Sequence, residues 1–144
     1  MKTIITSLMM FFSVMVFAQK PMVGFTPNEI KQRNYLEVGT LYESWNVDET
    51  DEFYMLYTEV PSISGYAYYY FANGAEANYL STLIMYDYDS YKSIKSRTIK
   101  RSLYQSGGWY KETKSGLYIY FQTANGDGKK IYSILYSYKM FDMK

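Results

Sequence analysis

Chemistry in this chain falls to tyrosine, carboxylates, lysine, arginine and hydroxyls, because its 144 residues include no histidine and no cysteine. That excludes disulfides, thiol nucleophiles, Ser-His-Asp and Cys-His catalysis and ordinary zinc sites, all of which need an imidazole or a thiolate. Tyrosine is the abundant resource, with 19 copies beside 8 Phe and 2 Trp. In Leu117-Tyr118-Ile119-Tyr120-Phe121 a strand's period of two sets Leu117, Ile119 and Phe121 on one face as core, and Tyr118 and Tyr120 on the other. The last segment alternates Tyr132, Ile134, Tyr136 and Tyr138 against Ile131, Ser133, Leu135 and Ser137. We take Tyr132 and Tyr136 to join Tyr118 and Tyr120 on an outward face across the intervening hairpin. Tyr66-Ala67-Tyr68-Tyr69-Tyr70-Phe71 is aromatic on both faces, so its register is open. A tyrosine-paved face offers rigid amphipathic area to a protein partner, a peptide or a glycan. The plainer reading is a set of cross-strand aromatic ladders that favour the sheet.

Charge is polarised along the chain. From Lys20 to Ser90 there are 3 basic and 11 acidic residues; from Tyr91 to Lys144 there are 11 basic and 3 acidic. The acidic share gathers in Glu43, Asp48, Glu49, Asp51, Glu52 and Glu59, the basic share in Lys92, Lys95, Arg97, Lys100, Arg101, Lys129 and Lys130. One expectation is a basic helix surface around Lys100 and Arg101 that meets an anionic protein or lipid surface. The other is that the two halves fold against each other and neutralise locally. A formal net charge of +1 and the export argued below both speak against nucleic acid.

No metal or cofactor is expected. Asp48-Glu49-Thr50-Asp51-Glu52 and Asp87-Tyr88-Asp89 could supply oxygen ligands to Ca²⁺, but neither has the D-x-[DN]-x-[DN]-G loop. Asn125-Gly126-Asp127-Gly128 lacks the Lys-Ser/Thr and the strand-to-helix setting of a phosphate loop and reads as a turn. A carboxylate hydrolase would draw on residues such as Glu59 and Glu76, and no spacing singles out an acid and a base.

The elements that must position these residues are legible in part. Phe25-Thr26-Pro27-Asn28-Glu29-Ile30 carries a capping box of Thr26 and Glu29, Pro27 in the first turn and a Phe25/Ile30 staple. It predicts a helix over Pro27–Glu37 that stops near Gly39. Strands are expected over Leu41–Val47, Glu52–Val60, Gly65–Ala72 and Asn78–Tyr86, separated by turns at Asp48–Asp51, Pro61-Ser62 and Asn73-Gly74. Tyr91, Ile94, Thr98, Ile99 and Leu103 then predict a second helix from Asp89 to about Gln105, stopped by Gly107-Gly108. Strands over Trp109–Thr113, Gly116–Thr123 and Lys129–Lys139 complete the order α-ββββ-α-βββ. The expectation is an α+β fold with an antiparallel sheet of about seven strands and two helices on one face.

At the N-terminus, Lys2, the uncharged run Ile4–Phe17 and Val16-Phe17-Ala18 before Gln19 read as a cleavable secretory signal. The apolar run is shorter than the roughly 20 residues that span a bilayer, so no stable membrane anchor is expected after processing. The mature domain, residues 19–144, is then secreted or periplasmic. The repeated helix-then-strands unit is similar in layout to the tandem units of β-lactamase-inhibitor-like proteins and to small outer-membrane-assembly proteins. That resemblance implies architecture alone. The reading favoured overall is an exported, non-enzymatic binding or accessory protein whose site is Tyr118, Tyr120, Tyr132 and Tyr136 with Lys100 and Arg101. The alternatives are a periplasmic glycan- or small-ligand-binding protein and a small carboxylate-dependent hydrolase.

Overall fold

The computed structural model describes residues 22–37, 41–47, 52–72 and 76–143, with side chains at 22–32, 54–72 and 76–143. The expected signal segment and the turns at Asp48–Asp51 and Asn73-Gly74 lie outside these residues.

Helix α1 spans Pro27–Glu37 as its capping signals dictate. Glu29 N–H donates to Thr26 Oγ1 at 3.3 Å, and Thr26 N–H returns a bond to Glu29 Oε2 at 2.8 Å, the reciprocal pairing of a capping box. Ile30 is fully buried and Phe25 packs against the same core. Eight strands follow, interrupted by helix α2 (Tyr88–Ile99). They are β1 (Leu41–Val47), β2 (Glu52–Val60), β3 (Gly65–Ala72), β4 (Leu80–Met85), β5 (Ser102–Tyr104), β6 (Trp109–Glu112), β7 (Tyr118–Gly126) and β8 (Lys129–Ser137), with a 3₁₀ turn at Pro61–Ile63.

All eight strands form one antiparallel sheet in the order β1-β2-β3-β4-β8-β7-β6-β5. The chain builds the sheet inward from one edge to β4, crosses through α2 to the opposite edge, and returns through β6 and β7 until β8 closes against β4. The α+β antiparallel architecture matches the expectation. β5 is the extra strand. Residues 102–104 do not extend α2, because Arg101 N–H and the Ser102 hydroxyl both donate to Thr98 O, at 3.0 and 2.7 Å, and close the helix. Arg101 O then accepts from Thr113 N–H and Gln105 N–H donates to Trp109 O, which places Leu103 in a hairpin with β6. Gly107 and Gly108, both at positive φ, turn that hairpin instead of stopping a helix. The second glycine turn is tighter than expected: β7 runs to Gly126, and Asp127 and Gly128, at φ of 47° and 72°, form a two-residue loop with the positive dihedrals of a type I′ turn.

The core lies on one face of the sheet. Leu56, Val60, Ala67, Tyr69, Phe71, Leu83, Met85, Ile134 and Ile119 point to it, joined by Ile30 of α1 and Tyr91 of α2. Tyr91 packs on Phe121 and Tyr132 of the same face, so both helices cover one side.

Candidate functional site

The opposite, helix-free face carries the tyrosines. The β2–β3 hairpin pairs Val60 with Gly65, so Tyr57 stands opposite Tyr68, and Glu59 opposite Tyr66. Tyr66, Tyr68 and Tyr70 therefore point away from the helices, while Ala67, Tyr69 and Phe71 enter the core. Gly65 is required where this hairpin meets β4, since a Cβ there would collide with the Ile84 carbonyl oxygen.

The outward phenols touch one another. Tyr57 and Tyr68 stack with centroids 5.5 Å apart and planes 16° from parallel; Tyr68 and Tyr70 stack at 6.4 Å and 19°. Tyr66 tilts onto Tyr68 at 6.2 Å and meets Tyr86 edge-on at 6.3 Å. All four strand tyrosines are half-buried. Partial burial raises the ionisation of Tyr68 above the ordinary phenol value, and neighbouring Tyr86, Tyr70, Tyr66 and Tyr57 raise it further by opposing a phenolate in their midst. Tyr70 is raised by burial and by Tyr79. The upward shifts hold the Tyr68 and Tyr70 hydroxyls in their hydrogen-bonding, protonated form.

The residues singled out in the sequence do not form one site. Tyr118 and Tyr120 lie on the helix-free face as expected, half-buried. Tyr118 is flanked by the Lys111 ammonium 5.2 Å from its ring centroid. Tyr120 packs on Trp109 at 5.2 Å, and Trp109 is only 2% exposed, with its indole N–H donating to Phe141 O at 3.0 Å. Phe141 lies against both Trp109 and Tyr79, so the C-terminal segment covers this part of the face.

Tyr132 and Tyr136 are a correction. The register sets Tyr136 opposite Ile119 and Tyr132 opposite Thr123, on the core side. Tyr136 is 6% exposed, and burial pushes its phenol far above the ordinary value. Tyr132 sits beneath α2, 4.9 Å from Tyr91 and 5.3 Å from Tyr88. Lys100 and Arg101 are exposed at the end of α2, beside the β5 edge and away from the β2–β3 tyrosines. Arg101 reaches Glu112 at 3.8 Å.

The tyrosines missed as site residues are those of β2 and β3. The signal for them was Glu59: a charge one residue from the core position Val60 marks the solvent side, and a short hairpin places Tyr66 directly across from it. The acid-rich half of the chain supplies β1 to β4 and the base-rich half β5 to β8, and the two halves meet in the middle of the sheet where β4 pairs with β8.

The acidic candidates find structural uses or stand apart. Asp87 caps α2, its carboxylate accepting from Asp89 N–H at 2.9 Å and from the Ser90 hydroxyl at 2.6 Å. The Ser90 hydroxyl, followed by the Asp89 amide, holds that carboxyl below the usual range. Glu59 and Glu76 are both exposed, on β2 and in the β3–β4 connection. Among the described residues no three acidic side chains gather into a set that could hold a metal ion, and no helix is long and apolar enough to cross a membrane. No protein family, curated protein or solved structure matches this chain.

Proposed function

We propose that this protein is an exported, non-enzymatic binding or accessory domain that recognises a protein partner through the tyrosine surface of β2 and β3. The observation that carries this reading is the contiguous row of Tyr57, Tyr66, Tyr68 and Tyr70 on the face left uncovered by the helices. Tyrosine is enriched at recognition surfaces because it supplies large contact area with few rotatable bonds and a polar tip. The ring geometry favours a polypeptide over a glycan. Stacking a sugar needs an open ring face, and the faces of Tyr57, Tyr68 and Tyr70 are turned toward each other. The export part of the reading rests on the Lys2 to Ala18 segment, and the intact mass of secreted protein should begin at Gln19.

The test is Tyr66→Ser with Tyr68→Ser, followed by crosslinked capture from an envelope fraction identified by mass spectrometry. Near-native melting with at least tenfold weaker capture, the scale of one anchor worth about 1.4 kcal/mol, supports recognition by this face. A marked drop in stability with unchanged capture identifies the row as a ladder that holds the sheet, and overturns the proposal.

A further inference from the structure

The β7–β8 hairpin projects beyond both of its neighbours. β6 pairs with β7 only at Tyr118, Ile119 and Tyr120, and β4 reaches β8 no further than Tyr132. We propose that the projecting edge of β7, from Phe121 to Gly126, binds an extended acidic polypeptide segment that adds a strand to the sheet.

The backbone sets the class of occupant. Asp127 and Gly128 form a two-residue loop, so Gly126 and Lys129 are the hydrogen-bonded pair beside it. Counting back, Ala124 and Gln122 direct their main-chain groups to β8, and those of Asn125, Thr123 and Phe121 turn outward. β6 gives the same phase at the other end, where Glu112 N–H donates to the carbonyl oxygen of Leu117, another odd-numbered residue. Donors and acceptors therefore stand along one edge at every second residue. A polypeptide strand matches that spacing; a lipid headgroup or a sugar does not. The edge lacks the usual protection, since Phe121-Gln122-Thr123-Ala124-Asn125-Gly126 has no charge and no proline, and Gln122 to Asn125 are exposed.

Side chains set the charge of the occupant. Phe121, Thr123 and Asn125 stand on the helix side of β7, as Ile119 does, and Lys130 is paired with Asn125 on that side. Overlooking them, Lys95 Nζ of α2 lies 5.3 Å from the Phe121 ring centroid and 5.7 Å from that of Tyr91. Lys92 Nζ lies 6.0 Å from that of Tyr88. Among the described residues none of these three lysines is paired with a carboxylate. Asp89 is in the exposed first turn of α2 and Asp127 at the hairpin tip, both off the strand edge. A strand laid against β7 sets every second side chain beside the run from Phe121 to Asn125, about 13 Å long, between Lys95 and Lys130. Carboxylates at those positions neutralise the lysines. A second copy does not. Two-fold antiparallel pairing centred on Thr123 sets Phe121 of one molecule opposite Asn125 of the next and brings Lys95 toward Lys130, like charge against like. The site lies three strands from β3 and does not depend on what the tyrosine row recognises.

Two short peptides test this on the full chain, one alternating Glu with Thr and the other Lys with Thr, each titrated while amide hydrogen exchange is followed by NMR. The Glu peptide should bind about tenfold more tightly than the Lys peptide. It should protect the amides of Phe121, Thr123 and Asn125, and leave Gln122 and Ala124, already bonded to β8, unchanged. Lys95→Glu with Lys130→Glu should abolish the preference for the Glu peptide. Thr123→Pro removes one outward N–H and no β8 bond, a change that an edge strand tolerates, and should melt near wild type while binding the peptide about tenfold more weakly. A Glu peptide methylated on its main-chain nitrogens makes the same test on the unaltered protein and should not bind. Absence of Glu-peptide binding at about 1 mM overturns the proposal. So do binding without protection of the three amides, equal binding of the two peptides, or binding unchanged by main-chain methylation. Protection of those amides by rising protein concentration alone would assign the edge to a second copy and overturn it too.

Discussion

Tyr68 shows how a single side chain reports its surroundings. Its phenol, and those of Tyr70, Tyr91 and Tyr136, are held above the ordinary value of 10, in each case chiefly by burial. In the unfolded chain these groups ionise near 10; in the folded one they resist. The folded state therefore binds more protons above that pH, and stability, constant below it, should fall as pH rises through and beyond 10. Chemical melts across the alkaline range, paired with tyrosinate absorbance, check this: a subset of phenols should ionise only on unfolding. Thr26 offers a second residue-scale test, since its hydroxyl satisfies Glu29 N–H at the exposed start of α1. Thr26→Ala should cost about 1 kcal/mol in denaturant melts.

At the scale of elements, the segment that leads into α1 is fastened to the sheet by a buried amide and by the Tyr138 hydroxyl, which donates to Val23 O at 3.1 Å. Asn78 Nδ2 donates to the Met22 and Phe25 carbonyls, Asn78 Oδ1 accepts from Ser81 Oγ at 3.2 Å, and its main chain exchanges bonds with Gly24 and Phe25. Asn78→Ala removes the side-chain donor from two carbonyls, which keep the Phe25 and Asn78 main-chain N–H donors, and the acceptor from the Ser81 hydroxyl, and should cost about 1 to 2 kcal/mol. Hydrogen exchange should then show α1 opening ahead of the β-sheet. The boundary between α2 and β5 follows the same logic of backbone accounting. Once Thr98 O accepts two donors, the next residues gain more from pairing with β6 than from another half turn of helix.

At the scale of the whole molecule, the helix-free face is divided. One part, over β2 and β3, is the stacked tyrosine row; the other, over β6, β7 and β8, is covered by the segment that contains Phe141. Under that cover Trp109 and Leu135 are buried outside the main core. Phe141→Ser should cost about 1 to 2 kcal/mol, less than removal of a fully buried Phe because Phe141 is only half-buried. It should also shift the Trp109 fluorescence to the red as water reaches the indole. Unchanged emission would mean that Tyr120 alone keeps the indole dry.

Local signals in the sequence determined the elements and the chemistry that is out of reach. The start of α1, the spans of β1, β2 and β3, and the turn before β8 follow from caps, alternation and Asp-Gly, all of which act over a few residues. The absence of His and Cys is likewise a fact of composition alone. Tertiary structure decided which way the tyrosines face. Along β8 neither row is wholly polar: Tyr132, Ile134 and Tyr136 face the helices, and Leu135 is buried on the other side next to Tyr120. A strand covered on both faces loses the inside-outside contrast from which alternation is read. Only pairing with β4 and β7 decided its orientation. The course of the chain followed the same division: the charge bias was plain along the sequence, but the crossover through α2, which carries the base-rich half to the far edge of the sheet before β8 returns beside β4, is a property of the topology.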